Sequence, residues 1–225
     1  MAEAALATDL ADMTLDELRL ALAPEIAAAA IFDGWSDSAL LHAAEMAGAD
    51  TDIARLAFPG GAMEMIEAWI DTIDAAMARD LPRERLEGMK IRERIRALVE
   101  YRLDAVEGLE EALRRALAVM AQPQNASRAL RIGWRSADTM WRLAGDTATD
   151  YNHYTKRAIL ASIYAATLAV FVDDESEGKE ATGAFLDRRI DGVMRFEKLK
   201  ARLAGVDRDS FSMMRFLGRL RYPSR

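Results

Sequence analysis

The fold is decided by residues 32–61, which read FDGWSDSALLHAAEMAGADTDIARLAFPGG. Ser36 and Asp50 can each cap the start of a helix, because their side-chain oxygens accept hydrogen bonds from free backbone amides. Gly48 can end the first of these helices, and Phe58-Pro59-Gly60-Gly61 can end the second. The stretch therefore predicts two short helices separated by a tight turn, as in a helix-turn-helix unit.

Helix-forming residues continue on both sides of this stretch. Thr14-Leu15-Asp16-Glu17 is a capping box that opens the preceding helix, which Pro24 should kink or split and Gly34 should end. No segment shows the alternation and turns of β-strands, so an all-α fold is expected. Further helices are predicted over about residues 62–79, 82–120 (two basic amphipathic segments), 125–144, 151–172 and 178–204.

Composition argues against most kinds of catalytic site. The 225 residues include no cysteine, so a thiol nucleophile and a thiolate metal site are excluded. Only two histidines are present. No nucleophile elbow, phosphate-binding loop or Rossmann fingerprint is present. A di-iron helical bundle needs paired Glu-x-x-His motifs, whereas Asp150-x-x-His153 is a lone pair. We therefore expect no metal, no cofactor and no catalysis, with an enzyme as the second possibility.

The longest uncharged run is Ala158 to Val172. As a helix its fifteen residues would span roughly 22 Å, which is less than the ~30 Å of a bilayer core. The run is thus predicted to be a buried helix. The N-terminus has acidic residues and no signal pattern, so a bacterial cytoplasmic protein, or an already processed one, is expected.

Charge is unevenly distributed along the chain. Residues 1–80 contain three basic and sixteen acidic residues, a net charge of −13, whereas residues 81–225 carry +6. The change falls near Asp80-Leu81-Pro82. We therefore predict three parts: an acidic helical subdomain (1–80), a larger helical domain (81–204) and a C-terminal helix (205–225).

The helix-turn-helix stretch resembles the DNA-binding unit of TetR-type repressors, in which a helical ligand domain also follows. The would-be recognition helix begins at Asp50 and contains two acids and one base within residues 50–57. Binding to DNA depends on Lys and Arg at the phosphates, so an acidic unit would be repelled. A role in packing or partner contact is favoured over nucleic-acid binding.

The C-terminal half carries the more specific resemblance. The segments DTATDYNHYTKR (146–157), DDESEG (173–178) and AFLDRRI (184–190), together with FDGWS (32–36) and FPGG (58–61), resemble the Coq nine family of ubiquinone biosynthesis. His153 departs from the pattern, in which a Trp is expected.

This resemblance implies a TetR-like fold that no longer regulates transcription. It implies a lipid-binding accessory protein that presents an isoprenoid quinone precursor to the di-iron demethoxyubiquinone hydroxylase at the membrane. The expected location is peripheral to the bacterial inner membrane, or the matrix side in a processed mitochondrial protein. A TetR-type ligand-responsive transcription regulator is the alternative function.

Apolar faces on two helices are candidates for an isoprenoid pocket. The same spacing is also typical of plain core packing, and the sequence leaves the two interpretations open. The candidate lipid-binding residues are Leu130, Trp134, Met140, Trp141, Leu160, Ile163, Tyr164 and Phe171.

The start of the helix near residue 151 is a candidate docking patch for the hydroxylase, although these side chains could instead cap and seat the helix. The candidate residues are Asp150, Tyr151, Asn152, His153, Tyr154, Lys156 and Arg157.

A stripe of Arg128, Arg131, Arg135 and Arg142 on the preceding helix is interpreted as a solvated face. TetR-like proteins pair through their last two long helices, so the resemblance also implies a homodimer. Burial of a second helix face would fit this, and its residues would be Ile159, Ile163, Ala166 and Val170.

The tail is a candidate membrane anchor. At 100° per residue its apolar side chains share one arc and its arginines lie opposite or at the edge, as in an interfacial helix. Packing of this helix on the protein itself is the alternative. The candidate membrane residues are Phe211, Met213, Met214, Arg215, Phe216, Leu217, Arg219, Leu220 and Arg221.

Overall fold

The computed structural model describes residues 10–147 and 151–193, and within them it contains helices, turns and no strand. A short 3-10 turn at Leu10–Asp12 precedes the first helix. The helices are α1 (Leu15–Asp33), α2 (Asp37–Ala47), α3 (Thr51–Ala57), α4 (Ala62–Asp80), α5 (Arg83–Leu86), α6 (Ile91–Asp104), α7 (Glu110–Met120), α8 (Ala126–Leu143), α9 (Tyr151–Phe171) and α10 (180–193). The predicted tail, residues 205–225, lies outside the described residues.

The predicted helix ends are confirmed where a side chain caps them. Thr14 and Glu17 form the reciprocal capping box at the start of α1. Ser36 accepts from the amide of Ala39, and Asp50 accepts from two amides at the start of α3. These bonds join residues two or three apart, which is why sequence spacing alone predicted them.

The predicted split at Pro24 is wrong, because α1 runs as one helix through it. Pro24 lies on the exposed side of the helix. There water can satisfy the carbonyl that loses its backbone partner, so the proline does not end the helix.

The acidic first part and the remainder share one apolar core. α1 packs on α2, α3, α4 and α7, and α4 also contacts α6 and α8. Trp35 lies 5.3 Å from Trp69 between ring centroids, and its indole N–H donates to the carbonyl of Ala112, 2.9 Å away. α4 ends at the predicted boundary near Asp80, but the core is continuous across it. The division into three parts stays a prediction.

Candidate functional site

A cavity, called cavity A, lies among α4, α6, α7, α8 and α9. Its volume is about 670 Å³, which is within the usual range for small-molecule sites. The wall is mainly apolar and includes Trp69, Leu113, Leu117 and Leu168. Leu130 on α8 lines this cavity and is 76% exposed, so the cavity reaches the surface at this residue. The cavity is therefore an apolar chamber with a mouth at the surface.

Small side chains on two facing helices create this space. α8 contributes Ala126, Ala129 and Gly133 to the wall, and α9 contributes Ala158, Ala161 and Ala165. A methyl group built on Gly133 would meet no atom within 4 Å. Close-packed cores leave few voids of this size, so α8 and α9 do not simply interdigitate along this part of their contact.

A buried polar cluster forms one part of the cavity wall. Arg102 is 1% exposed and forms an ion pair with Asp74. Ser136 bridges the two, with its hydroxyl 3.0 Å from Asp74 and 3.2 Å from Arg102. The guanidinium lies 4.9 Å from the ring centroid of Tyr164. Within the described part of the chain, the Arg102 Nε has no hydrogen-bond partner.

A second cavity, cavity B, lies among α6, α9 and α10 at the turn that follows α8. Its volume is about 430 Å³. Ile95, Ile159 and Ile190 supply apolar wall, and Arg92 and Lys156 supply charge. Val193, the last described residue, also lines it.

The structure divides the predicted lipid-binding residues between these two cavities. Leu130, Trp134 and Tyr164 line cavity A, whereas Trp141, Leu160 and Ile163 line cavity B. Met140 and Phe171 line neither of the two and are buried in the core. The expectation of one pocket formed by all eight side chains is corrected, because these residues lie on several faces of their helices.

Three aromatic rings connect cavity A with the predicted docking patch. Tyr154 is 62% exposed, and its ring centroid lies 6.0 Å from that of Trp134. The His153 ring lies 6.5 Å from Trp134 and 5.1 Å from Tyr154. Since Trp134 also lines cavity A, an exposed aromatic surface directly adjoins the cavity wall.

The remaining patch residues occupy different positions. Lys156 is partly exposed and pairs with Asp146 at 2.6 Å. Arg157 is 2% exposed and pairs with Asp138 and Asp146, so its predicted place on a docking surface is corrected to a buried structural one. Asp150 lies outside the described residues, as do the side chains of Tyr151 and Asn152, whose backbone begins α9.

Asp146 holds the start of α9 against the end of α8. Burial favours its protonated form, but hydrogen bonds and charge from Lys156 and Arg157 outweigh this and lower the pKa of Asp146 below its ordinary value of 3.8. The indole N–H of Trp141 also donates to the carbonyl of Lys156, 3.0 Å away. The surface near Tyr154 is thus fixed by charge and hydrogen bonds from both helices.

The arginine stripe on α8 is not simply a solvated face. Arg128 and Arg135 both pair with Glu67 on α4, at 2.7 and 3.0 Å. Burial alone would raise the pKa of Glu67, but these two arginines lower it on balance. Arg135 also reaches Asp71, and Arg142 pairs with Asp138 on its own helix. The stripe therefore fastens α8 to the acidic first part of the chain.

On α3, which corresponds to the recognition helix, the one base is already engaged. Arg55 pairs with Asp37 at 3.1 Å and with Asp52 at 3.5 Å. Both contacts are exposed, and they surround the cation with carboxylates. The described part of α3 thus offers little positive potential to a polyanion.

Neither metal ligation nor a membrane span is found in the residues described. In 10–147 and 151–193, no group of three or more metal-ligating side chains is placed to hold an ion. None of the described helices is both long and apolar enough to cross a bilayer.

Several residues that shape cavity A were not predictable from the sequence. The polar cluster of Asp74, Arg102 and Ser136 was not predicted, nor was the wall supplied by α4 and α7. Each of these residues sits at ordinary helical spacing, and their juxtaposition depends on how four helices pack. The only local signal was the run of small residues on α8 and α9, which also fits close packing.

The helices that border cavity A belong in part to a segment that matches a known protein family. Residues 126–197 match the COQ9 family model, and they contain α8, α9 and the described part of α10. Residues 126–197 are thus similar to the COQ9 family. The resemblance noted from the sequence is therefore confirmed, and this COQ9 segment includes the mouth of cavity A and the exposed Tyr154.

Two curated relatives extend the COQ9 match towards the N-terminus. The rat protein "Ubiquinone biosynthesis protein COQ9, mitochondrial" is 33% identical over 168 residues, which cover 72% of this chain and 54% of the relative. The human protein of the same name is 32% identical and is covered to 52%. The chain thus spans about half the length of these curated relatives.

A solved structure supports the fold. The TetR transcriptional regulator from Nitrosomonas europaea aligns with a TM-score of 0.62 at 23% identity, covering 77% of this chain and 96% of that one. The predicted all-α, TetR-like fold is confirmed. At this identity the likeness concerns the fold alone.

Proposed function

We propose that this chain is a non-catalytic, lipid-binding accessory protein of ubiquinone biosynthesis. In this role it presents an isoprenoid quinone precursor to the di-iron demethoxyubiquinone hydroxylase. The COQ9 match and the names of the relatives support the pathway. The observation that carries the lipid-binding role is cavity A, an apolar chamber of about 670 Å³ that opens at the surface.

The shape and lining of cavity A suit a long, branched apolar chain. The wall combines Trp69, Trp134 and Met120 with small residues, and methionine adapts to irregular apolar shapes. Transfer of apolar surface from water into such a chamber contributes about 25 cal/mol per Å². An isoprenoid therefore gains binding free energy without any specific polar contact.

Docking of the hydroxylase is proposed for the surface around Tyr154 and Lys156. Exposed aromatic rings are enriched at the centre of protein interfaces, and a charged side chain such as Lys156 suits the polar rim around them. Because the same surface adjoins Trp134, a docked enzyme would lie close to the lipid. The lipid would then have to move only a short distance from cavity A to the docked hydroxylase.

Membrane attachment and assembly complete the proposal. The amphipathic tail would bind the bilayer surface reversibly, and the chain would act as a homodimer. The curated relatives are named mitochondrial, which supports a mitochondrial location for a processed protein. The matrix side of the membrane is part of the proposal. In a bacterium the corresponding position is the cytoplasmic face of the inner membrane.

A ligand-responsive transcription regulator is the alternative function, because residues 32–61 resemble the DNA-binding unit of TetR-type repressors. The net charge of −13 over residues 1–80 opposes it, because phosphate contacts supply most non-specific affinity for DNA. The accessory role is therefore preferred.

A cavity-filling variant tests the lipid-binding role. Gly133→Leu projects a side chain into cavity A, and a helical glycine replaced by leucine should not lose stability, since glycine costs up to about 1 kcal/mol in a helix. Gly183→Leu is the matched control, because Gly183 is also helical and open but does not line either cavity.

Mass spectrometry of lipid extracts gives the readout. We expect isoprenoid lipid with the unaltered chain and with Gly183→Leu, and little with Gly133→Leu at an unchanged melting temperature. Absence of lipid from all three proteins, or equal lipid in all three, would contradict the proposal.

A further inference from the structure

An exposed apolar turn lies between α5 and α6, at the end of the molecule where α8 passes into α9. Met89 and Ile91 are 39% and 41% exposed. Ile91 also lines cavity B, beside Arg92. Met89, Lys90, Ile91 and Arg92 are called the α5–α6 corner from here on.

The corner is held in place. Arg94 donates to the backbone carbonyls of Met89 and Glu87, at 2.9 and 2.7 Å, and to that of Ala144 on the neighbouring turn, at 2.8 Å. One guanidinium thus ties the turn to the end of α8. Met89 and Ile91 are therefore kept exposed by the fold, at a cost in apolar hydration.

Charge distinguishes this corner from other exposed apolar side chains. Residues 83–96 contain six basic and three acidic residues. Arg83 pairs with Glu87, Arg92 with Asp191, and Arg96 with Glu100 and Asp187. All of these side chains are between 41% and 59% exposed, and solvent screens such pairs. By contrast, Leu15, Leu20, Phe32, Met46, Ile53 and Leu56 are exposed within the first 80 residues, whose net charge is −13.

We propose that the α5–α6 corner is a membrane-contact surface, which inserts Met89 and Ile91 into the interface of a bilayer containing anionic lipid. Bulky apolar side chains flanked by basic ones have the composition of an interfacial segment. The inference rests on the proposed lipid-handling function and adds a second contact to the amphipathic tail.

The charge of the tail favours a membrane over the tail itself as the partner of the α5–α6 corner. Val193, the last described residue, lines cavity B together with Ile91. Residues 205–225 contain five arginines and two aspartates. A basic tail is repelled by a basic corner, whereas an anionic surface attracts both.

This orientation also brings the membrane to the proposed docking end. Cavity B is lined by Ile91 and by Lys156. Lys156 comes two residues after Tyr154 on α9. Lipid could thus leave the bilayer close to the surface where the hydroxylase is proposed to bind.

A site-specific probe tests the corner directly. The chain has no cysteine, so Met89→Cys in the full chain accepts a single environment-sensitive fluorophore. Leu20→Cys is the matched control, because Leu20 is 45% exposed but lies in the acidic part. We expect a blue shift for the probe at position 89 with phosphatidylcholine vesicles that contain phosphatidylserine, and none at position 20.

Flotation of unlabelled chains gives a second readout. The double variant Met89→Ser and Ile91→Ser should lower the vesicle partition coefficient about tenfold, since two partly buried side chains are lost. Leu20→Ser should leave the coefficient unchanged. Co-purified isoprenoid should persist in the double variant, which separates this inference from the lipid-binding role.

Three results would overturn the inference. The first is a silent probe at position 89 on vesicles that bind the chain, because binding then occurs elsewhere. The second is a shift that requires the hydroxylase or a second copy of the chain, which would make the corner a protein interface. The third is equal flotation of the double variant and the unaltered chain.

Discussion

The indole ring of Trp134 lies 6.0 Å from the phenol ring of Tyr154, measured between ring centroids. Trp134 forms part of the wall of cavity A, whereas Tyr154 is 62% exposed. An occupant of the cavity and a protein docked on α9 would therefore act on neighbouring rings. If both bind, their affinities should be coupled, and the coupling must be reciprocal.

The first prediction concerns this surface. Tyr154→Ala should weaken binding of the hydroxylase about tenfold or more, because exposed aromatic anchors dominate many interfaces. Co-purified lipid should remain. Titration calorimetry or a quantitative pull-down measures the change, and Tyr154→Phe, which keeps the ring, should bind nearly as well as the unaltered chain. Unchanged affinity in Tyr154→Ala would place the docking surface elsewhere.

The second prediction concerns the buried ion pair beside cavity A. Asp74→Asn should lower the free energy of unfolding by about 3–5 kcal/mol, because it leaves the charge of Arg102 buried without its partner. Asp71→Asn, one turn earlier on α4, is the control. Its carboxylate pairs with Arg135 where both side chains are roughly 40% exposed, so its loss should cost only about 0–1 kcal/mol. Urea denaturation distinguishes the two, and equal costs would contradict the assignment.

The third prediction is a pH dependence that arises from Asp146. Because its folded pKa lies below the ordinary 3.8, the folded state binds this proton less readily than the unfolded state. The stabilisation is complete above the unfolded pKa and is lost as the pH falls through the lowered folded value.

Asp146→Asn should therefore be less stable than the unaltered chain at neutral pH. The difference should shrink from about pH 5 downward as the native carboxylate becomes protonated. Thermal denaturation across this range measures it. A difference that stays constant with pH would show that the ion pairs with Lys156 and Arg157 do not stabilise the fold.

The fourth prediction is the absence of appreciable DNA binding at physiological salt. Arg55 is surrounded by Asp37 and Asp52, and residues 1–80 carry −13. Electrophoretic mobility shift and fluorescence anisotropy over a range of salt concentrations check this. A log–log salt slope of several units would mean that several phosphates are neutralised, and would favour the regulator instead.

The sequence by itself determined the local structure of this protein. Ser36, Asp50 and the box of Thr14 with Glu17 fixed helix starts, since each bond spans two or three residues. The split expected at Pro24 does not occur, because the effect of a proline depends on which side of α1 faces water. The ordered motifs after residue 146 were also enough to indicate the COQ9 family.

Only the tertiary structure decided how these helices enclose space. It showed that Arg128 and Arg135 fasten α8 to α4, that Arg157 is buried, and that the apolar faces of α8 and α9 border two cavities. Helical periodicity specifies which side of a helix is apolar, but not how closely the facing helix approaches. That distance depends on side chains from α4, α6 and α7, whose positions relative to α8 and α9 are set by long-range packing and not by any local pattern.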